Sequence, residues 1–493
     1  MHRLACCSLL AAVAALLPQT ATQSAQVLSQ ETTTVRSYDG RTMPAAIVSI
    51  AAPERRARPE RKITVKALRF ATTAEHPGHP IVFLMGGPGI PGTEMAPIPP
   101  YFSLFQRLRE LADVIILDQR GIGRSEPVID CPFSEPLPAD FFVARNRMVA
   151  AFRRQVASCA EHWRAEGADP TAYNTIESAD DIDDLRRAMG MGKIDLLAFS
   201  YGSRLALAYV QRHGDHVGRV VLQGVNGPGL VLKRPAPVTR KLRRIGELLK
   251  QDSGWSGPTD LLAMARAARE RLKRSPATVK ITDRRAGQLL NVSIGREGFD
   301  ALVGLNLDAW RLPALLVSVA AGDDRVLTKF VEKTWNDLGA GTVGLMARAV
   351  NCAADRPNSR WEIVARESRT APFGSPFDNE LLTNDFCRAV GYNAPPVEFV
   401  RPIRSSAPTL LLTGVLDATN PVENARDVAR GLANAVLLEV ENAAHEALPA
   451  QAVQDVIVDF LRGADVRGRR IVSAAPHFAT VEEALKPGPQ RGL

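Results

Sequence analysis

Apolar residues along this chain come in short unbroken runs, and the runs are separated by polar stretches of helical period. Residues 80–84, 114–117, 193–198, 219–222, 408–413 and 435–439 are the main runs. Runs this short, bounded by turn signals, predict strands buried on both faces of a parallel sheet. Residues 141–164, 175–189 and 203–213 read as helices. In the second of these Ser178 is the expected cap, and Asp180 and Asp181 fall in the expected first turn. Ile182, Leu185 and Met189 recur at helical spacing, and Gly190 and Gly192 end the pattern. Strand and helix alternate, so the fold class is α/β, a mostly parallel, doubly wound sheet with helices on both faces. Ahead of it, residues 43–50 and 63–70 alternate in polarity as antiparallel strands do. The charged stretch between them, 53–62, is expected to be a solvated hairpin loop. Residues 26–42 are expected to be an extended lead-in.

The rhythm divides the chain. Residues 1–25 have the layout of a signal peptide: His2 and Arg3 first, an apolar run over 8–17, then small and polar residues over 20–25. The run is too short to span a membrane, and no later segment is apolar enough to do so. The expectation is an exported protein, periplasmic or secreted. Core residues 26–225 follow. Between 226 and 404 strand-like runs almost vanish, and 240–250, 261–271, 309–320, 325–338 and 341–351 read as helices. A mainly helical insertion of this kind is expected to form a cap over a site. The core resumes over 405–465, closing with an amphipathic helix at 452–461. Residues 466–493 are expected to be a loosely held tail.

Composition changes this picture little. The 493 residues carry 61 Lys and Arg against 53 Asp and Glu, a net charge of +8. The cations are interleaved with acids, which favours a solvated basic surface over nucleic-acid binding. Oligomeric state is not legible. Of six cysteines, Cys6 and Cys7 leave with the signal segment. Cys131, Cys159, Cys352 and Cys387 remain, and an even count in an exported chain points to two disulfides. Three pairings exist; the sequence-local one, Cys131–Cys159 with Cys352–Cys387, is expected. Each closes a loop of about 30 residues, worth roughly 3 kcal/mol in the chain-entropy account.

The candidate chemistry sits where strands end. Ala198-Phe199-Ser200-Tyr201-Gly202 lies between a strand and a helix, with small residues two before and two after the serine. That is the layout of a nucleophile elbow, with alanine in place of its usual first glycine. Asp417 and His445 each follow a later strand, giving the order Ser, Asp, His. A serine hydroxyl needs a base within hydrogen-bond reach, and an imidazole orientated by a carboxylate meets that need. Met85-Gly86-Gly87-Pro88-Gly89 also follows a strand. It fits either a plain Gly-Pro turn or a loop whose backbone N–H, at Gly86 or Gly87, joins that of Tyr201 in an oxyanion hole. The loop 118–125, with Asp118, Gln119 and Arg120, reads as a brace beside the site; it lacks the Gly-Lys-Ser/Thr of a phosphate loop. Asp180, Asp181, Asp183 and Asp184 favour a helix start over a metal site.

With those motifs together, Gly86-Gly87-Pro88-Gly89, Asp118-Gln119-Arg120-Gly121, Ser200-Tyr201-Gly202 and the Asp417 and His445 loops, the chain resembles the prolyl and tripeptidyl aminopeptidase branch of the α/β-hydrolases. The resemblance covers nearly the whole mature chain. It implies the α/β-hydrolase fold with an inserted cap, a Ser200–His445–Asp417 triad, no cofactor and no metal. It implies a peptide substrate cleaved near its free N-terminus. The family's first motif usually begins with histidine; here Met85 stands there. Such enzymes need acids to hold the substrate's α-ammonium, and Asp355 and, behind it, Glu332 are the candidates in the cap. A carboxylic-ester hydrolase with the same triad is the first rival, and a non-catalytic binding protein built on this fold is the second.

Overall fold

The apolar runs pair into one ten-stranded sheet in the computed structural model, which describes residues 26–307, 310–340, 342–392 and 402–486. The signal segment expected at 1–25 and the end of the tail at 487–493 lie outside the described residues. The strands are β1 (Val27–Arg36), β2 (Thr42–Arg55), β3 (Arg58–Phe70), β4 (Ile81–Leu84), β5 (Val114–Asp118), β6 (Ile194–Phe199), β7 (Val217–Gln223), β8 (Ala277–Asp283), β9 (Gln288–Ile294), β10 (Thr409–Gly414), β11 (Ala435–Glu441) and β12 (Ile471–Val472). The sheet runs β1-β2-β3-β5-β4-β6-β7-β10-β11-β12, and β8-β9 form a separate pair. Pairing is antiparallel from β1 to β5 and parallel from there on.

Every residue of β4, β5, β6 and β10 is buried. The two faces nevertheless pack into different layers. Val82, Leu84, Ile115, Leu117, Leu196 and Ala198 enter one cluster; Ile81, Phe83, Val114, Ile116, Leu197 and Phe199 enter the other. An unbroken apolar run is thus a period-two strand with helices on both sides. Each such side chain taken fully from water contributes roughly 1.5–3 kcal/mol before chain entropy is set against it.

Between β7 and β10 lie the helices Pro235–Gln251, Leu261–Arg274, Arg296–Leu305, Leu312–Ala320, Arg325–Ala340, Leu345–Ala353, Asn358–Ser368 and Asn384–Val390. The hairpin β8–β9 interrupts them, against the expectation that strands vanish there. Burial alternates strictly along β8, and the helix Arg325–Ala340 supports it: Trp335 Nε1 donates to Asp283 at 3.2 Å. Seven alternating residues are too short a signal beside long helices; packing on that helix settles them.

Other expectations change for similar reasons. The lead-in contains β1, an edge strand. The charged stretch 53–62 is not a loop, because β2 and β3 run through it and only Arg56 and Ala57 turn. The helix Thr175–Ala188 is capped by Asn174, whose side chain accepts from the N–H groups of Ile176 and Glu177, so Ser178 is not the cap. The described part of the tail is tied down: β12 joins the sheet, the helix Val481–Leu485 has a capping box at Thr480, and Ala479 N–H donates to Trp310 in the insertion. Disulfides join Cys131 to Cys159 and Cys352 to Cys387, the sequence-local pairing. Among the described residues no helix is long and apolar enough to cross a membrane.

Candidate active site

Ser200 ends β6 at the middle of the sheet and has φ 55° and ψ −119°. A non-glycine residue here stores on the order of 1–3 kcal/mol of backbone strain. Close approach of the neighbouring backbone maintains it. A Cβ on Gly202 would lie 2.0 Å from the Leu84 carbonyl oxygen, and one on Gly86 would lie 2.7 Å from Ser200 Cβ. Both positions are therefore closed to any side chain. The GGPG loop consequently lies directly against the serine, and the helix Tyr201–His213 starts at the next residue.

Asp417 and His445 enter from the ends of β10 and β11. His445 Nε2 lies 2.9 Å from Ser200 Oγ, and His445 Nδ1 lies 2.8 Å from Asp417 Oδ2. Three residues spread over 245 positions thus form one hydrogen-bonded line. Ser200 and Asp417 are buried, and the imidazole keeps 15% of its surface. Asp417 Oδ1 accepts from the N–H groups of Thr419 and Asn420, both at 2.8 Å. The His445 carbonyl accepts from Gln223 Nε2 at 2.8 Å, and the Phe199 ring packs against the imidazole at a tilt of 41°, with centroids 5.1 Å apart. Tyr101 donates to Glu446 at 2.6 Å, fixing the residue after the histidine. Nδ1 faces a carboxylate, which selects the tautomer with the proton on Nδ1 and leaves Nε2 to accept from the serine.

The Asp118 loop is a brace. Asp118 accepts from Thr93 N–H, Thr93 Oγ1 and Arg124 N–H; burial raises its pKa against the pull of these bonds. Gln119 Nε2 donates to the Met85 carbonyl at 3.1 Å, steadying the GGPG loop through its backbone. The bond is to the main chain, so it does not use the Met85 side chain. Arg120 is fully buried and donates to Asp181 twice and to the carbonyls of Glu54 and Ala172. The acids 180–184 are thus occupied by arginines. Asp181 and Asp184 also take Arg56, Asp180 takes Arg212 and His213, and Asp183 takes Arg186.

The two candidate acids of the insertion part company. Asp355 is 4% exposed, and its Oδ1 has no hydrogen-bond partner among the described residues. It lies within electrostatic reach of Arg204, on the first turn of the helix that Ser200 begins. Glu332 accepts from Thr282 N–H of β8 at 3.2 Å. The fold thereby commits its carboxylate to the cap hairpin and does not bring it to Ser200. Sequence reasoning missed Asn420 and Gln223, which hold Asp417 and His445. It also missed Asn226, at 7% exposure, whose Oδ1 is unpartnered beside Ser203. Only Asn420 carried a signal, its place three residues after Asp417.

Comparison with known proteins agrees with this architecture. The chain is 29% identical over 153 residues to the putative hydrolase YuaR of Escherichia coli strain K12, covering 29% of this chain and 28% of that one. It is 30% identical over 181 residues to serine protease Hip1 of Mycobacterium tuberculosis strain H37Rv, covering 35% and 34%. It is 28% identical over 157 residues to tripeptidyl aminopeptidase of Streptomyces lividans, covering 30% and 28%. The matched stretch spans about a third or less of these curated relatives. The model of the alpha/beta hydrolase fold family matches residues 79–449, well over half of the chain. The match takes in Ser200, Asp417 and His445 together with strands β4 to β11, and the chain belongs to the α/β-hydrolase fold family.

Proposed function

We propose that the protein is an exported serine peptidase that cleaves peptide bonds near a free N-terminus through an acyl-enzyme. One observation carries this: the unbroken line Ser200 Oγ–His445–Asp417 at 2.9 and 2.8 Å. Ser200 Oγ attacks the scissile carbonyl while His445 Nε2 takes its proton. Asp417 stabilises the imidazolium. The oxyanion is received by the N–H of Tyr201 and of Gly87 or Gly86, each such donor typically worth about 3 kcal/mol of barrier. The intermediate collapses, the amine leaves with the proton from His445, and water then releases the acyl group by the same steps in reverse.

Peptidase names among the relatives support a peptide substrate over an ester. So does Asp355, a buried carboxylate with an unused oxygen, suited to an α-ammonium. The unused Oδ1 of Asn226 is a second acceptor for the same group. The disulfides are compatible with an oxidising compartment. The test is a paired assay on aminoacyl and peptidyl anilides against short acyl esters. The expected result is anilide cleavage that requires a free amine and falls at least about 10³-fold in Ser200→Ala. Preference for esters, with no need for the amine, identifies an ester hydrolase.

A further inference from the structure

The end of β7 touches every member of the triad. The Gln223 carbonyl accepts from Ser200 N–H at 2.9 Å, and the Gln223 side chain holds the His445 carbonyl and Ala447 N–H. Gly224, at φ 62°, packs so closely on the imidazole that a Cβ there would lie 3.0 Å from His445 Cε1. Gly224 N–H donates to the Leu412 carbonyl of β10, the strand that leads to Asp417. The Gly224 carbonyl accepts from Asn420 Nδ2 at 2.8 Å. Asn420 is fully buried, and its own N–H donates to Asp417 Oδ1 at 2.8 Å. One residue thus ties the Asp417 loop to the backbone on which His445 rests.

A side-chain amide carries a donor and an acceptor of similar shape, and half a turn exchanges them. Lys233, between β7 and the helix Pro235–Gln251, decides the orientation here. Its Nζ donates to Asn420 Oδ1 at 3.0 Å. An ammonium only donates and a carbonyl only accepts. Turned round, the Asn420 amide would set N–H against the ammonium and oxygen against the Gly224 carbonyl, and both bonds would be lost. A serine or glutamine at position 233 would not discriminate, because each can donate or accept.

Lys233 is itself held in place by the insertion. Its N–H donates to Asn379 Oδ1 and its carbonyl accepts from Asn379 Nδ2, both at 2.8 Å, and Asn379 is buried. Beside it, the Leu232 carbonyl accepts from Arg360 Nε at 3.2 Å. Burial lowers the Lys233 pKa; Asp378 and Asp417 oppose this, and Arg360 and Arg204 add to it. The ammonium is therefore supported in part by the carboxylate whose loop it helps to hold. We propose that Lys233 is a positioning residue for the triad: through Asn420 it locks the Asp417 loop to the end of β7, and so couples the helical insertion to the line Ser200–His445–Asp417. The inference rests on the reading of that line as catalytic, and it adds the residue outside the line that keeps it in register.

The test uses the full mature chain and the rate at which a neutral alkyl fluorophosphonate labels Ser200, so it does not depend on knowing the substrate. Lys233→Met removes the donor, Lys233→Arg restores one, and Asn420→Asp keeps an acceptor for Lys233 while losing the donor to Gly224. Labelling is expected to slow about tenfold in Lys233→Met and Asn420→Asp and to return to within about threefold of wild type in Lys233→Arg. On whichever anilide or ester the paired assay selects, kcat falls while KM holds. The low-field NMR resonance of the proton between His445 Nδ1 and Asp417 shifts or broadens in Lys233→Met and recovers in Lys233→Arg. An unchanged labelling rate in Lys233→Met overturns the proposal. So does a slower rate with the resonance unmoved and the urea midpoint lowered, which makes Lys233 structural only. A raised KM with labelling unchanged makes it a substrate contact and likewise overturns the proposal. A wild-type chain that takes no label at Ser200 overturns the triad reading and this inference with it.

Discussion

Two groups of basic residues in this molecule have opposite surroundings. Under the sheet's antiparallel side, Arg56 and Arg120 meet Glu177, Asp180, Asp181 and Asp184. Burial works against the charge on Arg56, yet the three aspartates overcome it and its pKa is raised. Burial likewise opposes ionisation of Asp180, but bonds from His213 and Arg212 hold its pKa down at about 2. Near the triad, Lys233 and Arg348 meet no acid within 4.0 Å, and both pKa values are lowered. The first group clamps the hairpin of β2 and β3, the Asp118 loop and the helix Thr175–Ala188 into one body. In the second, Lys233 donates to the amide of Asn420 and Arg348 lies over the Phe152 ring, so the contacts are with neutral groups. The matched group joins remote segments through ion pairs, and the unmatched one does not.

The contrast can be broken most severely at Arg120. Arg120→Met leaves Asp181 short of a buried partner and removes a donor from three carbonyls, those of Pro53, Glu54 and Ala172. Urea unfolding is expected to show a loss of about 3–5 kcal/mol. Stability unchanged within 1 kcal/mol would mean the brace is ornamental. Acid titration is the next probe. The folded pKa of Asp180 is depressed from 3.8 to about 2, so its contribution is complete above the unfolded value and is lost as pH falls from about 4 towards 2. That amounts to about 2 kcal/mol, which Asp180→Asn should remove from the pH dependence of unfolding. The smallest effect is expected at the other group. Arg348→Gln should change unfolding free energy by less than about 1 kcal/mol, or raise it, since it removes a desolvated charge with no partner. A loss of 3 kcal/mol there would show that Arg348 is structural and that the two groups do not differ.

Much of the site's neighbourhood could be read before folding, and for identifiable reasons. Ser200 was visible only in combination: S-x-G after a strand is common, and it gained meaning from Asp417 and His445 following in order at later strand ends. Asp417 and His445 were visible because parallel sheets place chemistry at strand ends. The acids at 180–184 were legible only as acids. Their partners, Arg56 and Arg120, come from segments more than 60 residues away, so no local pattern connects them. Glu332 and Asp355 looked alike in sequence, and packing on β8 separated them. Lys233 and Arg348 carry no motif. What sets them apart from Arg56 and Arg120 is that they make no ion pair among the described residues, and an absence of neighbours has no sequence signature.

The sequence alone determined the strand-and-helix rhythm, the order of serine, aspartate and histidine, the glycines beside them and the even count of four cysteines after the signal segment. These are properties of short stretches, set by period, backbone freedom and small spacings. The tertiary structure decided which acid meets which arginine, which cysteines pair, where a hairpin interrupts the helical insertion, how the tail is fastened, and that Lys233 and Arg348 make no ion pair among the described residues. Those depend on distances between residues remote in the chain, and electrostatic and packing energies act through space rather than along the backbone.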